Sequence, residues 1–346
     1  MAVIGAGICG LSSAYQVLTD ESFNVQQLDV FADRFTSDTT SFGAAGLWRA
    51  ANVHNTPREK LDRWAKASLE HAIHILSYDE DATSKGFAPA HGYLVSRKPI
   101  HDTVWKNYGL SFVVMTEEDL RRRFPHFDKD IKYGVSFSSY TLESKKFLPY
   151  LTTEIKKLGG RLIEQKLKSL DQISDKYDVI INCCGLGARE LVGDDKVFGT
   201  RGQIMHIKAP WMKEFLYDID IVDGNVSYII PNIDHVVIGG TKQDNNYSLK
   251  PTEKDRDWIL QHTTKLMPSV AKAEIVGEWV GLRPGRDEIR LETEMIRVPL
   301  EGQRECRIPV IHNYGHGANG ITMSWGCAEN VIELIKNHVG GMKSNL

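Results

Sequence analysis

Long apolar runs are missing from this chain: 42% of its 346 residues are hydrophobic, yet they are dispersed, and glycines interrupt the one N-terminal stretch that resembles a secretion signal. A soluble, non-secreted protein is therefore expected. Charge of one sign is also lacking, since 42 Lys and Arg stand against 45 Asp and Glu. A net charge of −3 gives no footprint for nucleic acid or for an anionic membrane, so the expected partner is a small molecule. Cysteine is scarce. The five present (Cys9, Cys183, Cys184, Cys306, Cys327) are odd in number and lack a paired framework, as free thiols in a reducing compartment do. Metal-ligand sets are absent as well: His312 and His316 have no third ligand beside them, so no metal is expected and His316 reads as a structural hydrogen-bonder. No repeat or low-complexity segment appears, and a chain of this length should bury a large core in about two domains.

What is present is concentrated at the start. Val3 and Ile4 lead into Gly5-x-Gly7-x-x-Gly10, after which Leu11, Ala14, Tyr15 and Leu18 recur at helical spacing. This is strand, turn, helix. Gly5 suits the tight turn, Gly7 lets backbone approach a pyrophosphate, and Gly10 lets the helix pack closely with its N-terminal amides toward the phosphates. Alternation at Leu28 and Val30 predicts a second strand ending near Asp33, an acid placed to take ribose hydroxyls. An ADP-containing dinucleotide follows from the combination, which does not itself choose between NAD and FAD.

Downstream, the hydroxyl-rich segment 36–41 runs into Gly43-Ala44-Ala45-Gly46-Leu47-Trp48, small residues that allow backbone to approach a flat ring. From about Thr56 the pattern changes. An amphipathic helix carries Leu61, Trp64, Leu69 and Leu76, strands are predicted at 93–96 and 112–115, and Thr116 opens a helix. Pro149 is placed in the first turn of a helix that Gly159-Gly160 stops, with strands following at 161–167 and 178–184. Short strands, including 228–231 and 236–243, fill 201–280 and a helix covers 253–266. A Gly-rich turn enters a last helix at 327–338, giving a second set of amides for the far end of the cofactor. The expected fold is α/β: a discontinuous Rossmann-like dinucleotide domain (1–55, 140–190 and 282–346) interleaved with an α+β substrate domain on a mixed sheet (56–139 and 191–281).

The segments VIGAGICGLS (3–12), ADRFTSDTTSFGAAGLW (32–48), VIINCCGLGAR (179–189), RGQIMHIKAPW (201–211), YIIP (228–231), GLRPGR (281–286) and HNYGHGANGITMSWG (312–326) resemble, in order, the D-amino-acid oxidase family, D-aspartate oxidases included. The resemblance implies non-covalent FAD and oxidation of a D-amino acid by O₂, giving a 2-oxo acid, ammonia and hydrogen peroxide. By the same match Arg283 and Tyr228 are the catalytic pair holding the substrate carboxylate, and Ala318 lies by the substrate. FAD would be held by Gly5, Ala6, Gly7, Ile8, Gly10, Asp33, Arg34, Thr39, Thr40, Ser41, Gly46, Leu47, Leu167, Gly317, Asn319, Gly320, Ile321 and Thr322. A glycine or sarcosine oxidase-like enzyme would share the first segment but not those around Tyr228 and Arg283.

Substrate branch divides the motifs. Gly239-Gly240-Thr241-Lys242 resembles the Thr-basic pair of D-aspartate oxidases, with lysine in place of arginine, and Gly224 replaces the tyrosine of neutral-substrate enzymes. Lys242, read as buried, would need an anion, which a second substrate carboxylate or a loop aspartate such as Asp223 would supply. Arg49 is a second candidate cation. The expectation leans to D-aspartate and D-glutamate, with D-alanine and D-methionine as the alternative that RGQIMHIKAPWMK and AAGLW favour. The terminal Ser344-Asn345-Leu346 resembles a peroxisomal address read by an import receptor, so a peroxisomal matrix location is expected, or otherwise a cytoplasmic one. Homo-oligomer formation is left open.

Overall fold

The computed structural model describes residues 1–51, 53, 55–100, 106, 108, 110–299 and 305–342. It opens with β1 (Ala2–Ile4), α1 (Ile8–Thr19) and β2 (Asp29–Ala32), the unit that the glycine pattern predicts. Next come α2 (Arg58–Tyr78), β3 (Phe87–Ser96), β4 (Phe112–Met115), α3 (Glu117–Arg123), β5 (Tyr133–Leu142) and α4 (Ser144–Lys157). They are followed by β6 (Arg161–Glu164), β7 (Ile180–Asn182), α5 (Ala188–Leu191), β8 (Phe198–Lys208), β9 (Phe215–Val222), β10 (Asn225–Pro231), β11 (Val236–Gly239) and β12 (Gln243–Asp244). The chain closes with α6 (Glu253–Leu266), β13 (Glu274–Pro299), β14 (Glu305–His316) and α7 (Gly320–Met342).

The described strands form one mixed sheet. At one end β14, β7, β1, β2 and β6 are parallel neighbours. Both faces of this block are buried: Val3 enters the cluster of Leu11, Ala14 and Val17 from α1, while Ala2 and Ile4 enter another with Phe31, Ile180 and Val310. Burial on two sides is why these strands read as apolar runs without alternation. At the other end, β4-β5-β3-β9-β10-β11-β8 form a mostly antiparallel block. Its residues alternate, Tyr228 and Ile230 facing the large cluster, and Ile229 facing a separate one with Ile259 and Leu266 of α6.

The two blocks are joined by β13, whose length was not foreseen. It pairs with β8 from Glu274 to Gly285, and Gly285 also faces His316 as the pairing passes to β14. The expected domain boundary at 281/282 lies within this strand.

Other local expectations need correction. Pro149 lies inside α4, not in its first turn, because buried Phe147 and Leu148 anchor a turn ahead of it that the loss of one backbone hydrogen bond does not undo. The stop is as expected: Gly159 has φ +89° and Gly160 N–H donates to the Ile155 carbonyl at 2.8 Å. Helix α7 begins at Gly320, a full two turns before Cys327. The acidic stretch before Tyr228 (Asp218, Asp220, Asp223) is strand up to Val222, with Asp223 in the turn as expected. It is the β9–β10 hairpin, turned by Asp223 and Gly224 at φ +52° and +80°, a positive pair that tight hairpins favour.

Candidate active site

Two loops and two helix ends meet at the C-terminal edge of the parallel strands. In the β1–α1 turn Gly5 has φ +105°, and a Cβ there would lie 2.4 Å from the Cys183 carbonyl oxygen; one on Gly10 would lie 1.9 Å from the Gly5 oxygen. The turn is closed to any larger residue at both positions. Gly7 has no side chain to cap α1, and the Ile8 amide is instead met by Ser41 Oγ at 3.0 Å. That bond brings the hydroxyl-rich loop onto the helix N-terminus. Ser41 accepts there and keeps its own proton to donate, whereas Thr39 and Thr40 donate to the carbonyls of Thr36 (2.8 Å) and Leu282 (3.0 Å). Asp33 and Arg34 follow β2 as a half-exposed pair at 3.6 Å. Leu167 is buried in the cluster with Ala2 and Phe31, so its side chain serves packing.

Helix α7 brings the second set of amides. Its first residue, Gly320, lies against Ile8, with 3.8 Å from a constructed Cβ to Ile8 Cγ2, so the N-termini of α1 and α7 adjoin. Asn319 accepts from the Ala51 amide at 3.1 Å, Thr322 is buried, Gly317, Gly320 and Ile321 are half-buried and Ala318 is exposed. Gly46, at φ +83°, docks on β5: its carbonyl accepts from Leu142 N–H, and Trp48 N–H donates to Tyr140. Alternation then turns the Leu47 N–H away from β5. Two adjoining helix N-termini, an acid after β2 and a Leu47 N–H turned away from β5 suit a flavin dinucleotide.

The substrate side is built on β8, β10 and β13. Buried Tyr228 lies over Gly239 and Gly240, where a Cβ would come within 2.7 and 2.4 Å of its hydroxyl oxygen; the paired glycines make room for the phenol. Arg283 lies over Gly202, where a Cβ would meet the guanidinium at 2.3–2.5 Å. Its Nη1 donates to the Thr241 carbonyl at 3.1 Å. Strand β8 is pinned there by wholly buried Arg201, paired with Asp255 at 2.6 Å. Burial pushes the Tyr228 hydroxyl up to about 12, against the opposing influence of the Arg283 charge. It therefore remains a donor through the neutral range. No described carboxylate pairs with Arg283, so its outer face is open to an anion.

Two aromatic residues at the site carry no sequence signal. Tyr217 stacks on Tyr228 with centroids 5.2 Å apart at 20°, and the half-buried Arg49 guanidinium sits 4.5 Å over the Tyr217 ring. Trp279 is wedged between Gly43 and Gly281, whose constructed Cβ atoms would fall 2.0 and 1.9 Å from its ring, joining the flavin-side loop to β13. Lys242 differs from expectation. It is exposed, its amide held by Asn225 Oδ1 at 2.8 Å, and neither Asp223 nor another described carboxylate pairs with it. The β11–β12 turn projects it outward, so a buried amine seeking an anion is not the situation here. His316 is structural: buried, with ring nitrogens 3.6 and 3.4 Å from Cys9 and Cys327 sulfurs, its pKa lowered by burial to about 4.

Comparison with known proteins shows the family. The model of the family described as "DAO: FAD dependent oxidoreductase" matches residues 1–334. The chain is 33% identical to D-aspartate oxidase of Homo sapiens, over 99% of this chain and 96% of that one. It is also 33% identical to D-amino acid oxidase of Dugesia ryukyuensis, over 97% of both. Among solved structures, glycine oxidase from Geobacillus kaustophilus superposes with TM-score 0.74 over 97% of this chain and 94% of that one, at 16% identity, a likeness of fold. With a Rossmann-like FAD domain, a mixed-sheet substrate domain and full-length relatives of this kind, the chain belongs to the DAO family of FAD dependent oxidoreductases.

Proposed function

We propose that this enzyme oxidatively deaminates D-amino acids and favours those with a second carboxylate, D-aspartate and D-glutamate. The observation that carries the reading is the unpaired Arg283 guanidinium lying flat over Gly202 beside the Tyr228 hydroxyl. A planar fork and one phenol donor match an α-carboxylate, which a lysine would meet only as a point charge. Bound FAD supplies the two-electron acceptor and, through O₂, releases hydrogen peroxide. The chain's part is to hold the Cα–H toward the ring while the amine sheds a proton, after which water converts the imino acid to 2-oxo acid and ammonia.

Arg49 supports the acidic preference. It lies over Tyr217, the ring that stacks on Tyr228, and without a described carboxylate partner it offers a second guanidinium on the substrate side. The exposure of Lys242 moves the acidic reading from that lysine to Arg49 and, by itself, favours the neutral alternative of D-alanine and D-methionine. Relatives named D-aspartate oxidase and D-amino acid oxidase are equally similar, so kinetics decide. In a peroxidase-coupled assay Arg49→Leu lowers kcat/KM for D-aspartate by about thirtyfold, the loss of a charge-assisted bond of roughly 2 kcal/mol, and leaves D-alanine nearly unchanged. Equal losses on both substrates would remove Arg49 from the side-chain subsite.

We also propose a peroxisomal location, carried by Ser344-Asn345-Leu346, which lie outside the described residues. A fluorescent protein ending in this tripeptide should collect in peroxisomes, and diffuse fluorescence would dismiss the signal.

A further inference from the structure

Behind the stacked tyrosines, on the opposite face of the same strands, lies a cavity of about 200 Å³. The register of β9 and β10 sets Tyr228 opposite Tyr217 and Ser227 opposite Asp218. Because successive side chains point to opposite faces, the first pair belongs to the active site and the second lines the cavity. A single layer of backbone separates the two.

Two donors in the cavity wall have nothing to bind. Ser227 is 5% exposed and its hydroxyl has no partner, and the Nε1 of Trp258, from α6, is likewise buried and unmatched. A buried polar group left unmet costs about 1–3 kcal/mol, so two around one void call for an occupant that accepts hydrogen bonds. Stacking on His262 at 4.0 Å fixes the indole plane. Lys265, two turns along α6, lines the same void and pairs with no described carboxylate. The other wall is acidic. Asp218 and Asp220 are engaged by Arg97 at 2.9 and 3.2 Å, while Asp128 at the rim has no described cation.

We propose that this cavity binds a free α-amino acid as a zwitterion, its carboxylate on Ser227, Trp258 and Lys265 and its ammonium on Asp128 and Asp220. A plain anion would leave Asp128 without a cation, and a plain cation would leave the indole N–H unmet. The void is roomy enough for a small amino acid. An occupant rests against Ser227 and Asp218, the residues next in sequence to the stacked tyrosines, so the site is placed to report amino-acid supply to the active site.

The test is binding of L-alanine to the ¹⁵N-labelled FAD-loaded enzyme, read from indole N–H resonances, with Trp258→Phe identifying the Trp258 signal among the seven tryptophans. Using Arg283→Met in parallel removes the active-site carboxylate clamp. The Trp258 resonance should move saturably in both backgrounds. Ser227→Val, which removes the hydroxyl and narrows the void, should weaken that response about tenfold. Acetate and methylammonium, each half of the zwitterion, should produce no saturable shift. An unmoved Trp258 signal at about 50 mM L-alanine, far above the roughly 1 mM affinity that a few hydrogen bonds support, overturns the proposal, as does an equal shift with acetate alone.

Discussion

Replacing Arg283 by methionine lowers kcat/KM for the best D-amino acid by about a thousandfold, while the protein stays yellow. The magnitude follows from removing one partner of a desolvated charge pair, which costs about 4 kcal/mol, or nearly three factors of ten. Arg283 lies over Gly202, bonded to the Thr241 carbonyl and interacting with the Tyr228 hydroxyl but with no described carboxylate, so its charge is left for the substrate. Lysine in its place restores charge without the fork and recovers only part of the loss. Tyr228→Phe removes one hydrogen bond to a charged group and costs about 2 kcal/mol, roughly thirtyfold. Flavin absorbance separates this from damage to the cofactor cradle. Turnover within a few-fold of the wild type in Arg283→Met would refute the carboxylate clamp.

Gly10→Ala yields protein that loses FAD on gel filtration and unfolds more readily by about 3 kcal/mol. A methyl group there would sit 1.9 Å from the Gly5 oxygen, and Gly5 is itself confined by the Cys183 carbonyl, so the overlap cannot relax without opening the β1–α1 turn. Gly277→Ala is the control: the nearest atom to its added Cβ is 3.7 Å away, and it should keep both flavin and stability. If the two variants retain the same flavin-to-protein ratio, the turn is not the cradle described above.

These two expectations differ in how early they were legible. Gly5, Gly7, Gly10 and Asp33 announce themselves because the turn is local, with backbone conformation and close approach constraining a few consecutive residues. The helices at 58–78 and 253–266 were likewise readable from periodicity, and Gly159-Gly160 as a stop. Pro149 misled because its cost was judged without the anchoring of Phe147 and Leu148, which only packing supplies. For Lys242 the local pattern reads as strand past Gly239, but whether the next residues turn outward depends on how β12 meets β8.

The sequence by itself determined the dinucleotide fold, since that rests on residue types at short spacings, whereas the flavin and the roles of Arg283 and Tyr228 came from the resemblance of ordered segments to a family. Tertiary structure alone decided that Tyr217 touches both Arg49 and Tyr228, that Trp279 bridges Gly43 and Gly281, and that Ser227 faces a void shared with Trp258. Those contacts join strands and helices far apart in the chain. Their register follows from a sheet in which one residue's slip would exchange the two faces, and no local pattern records which face each side chain takes.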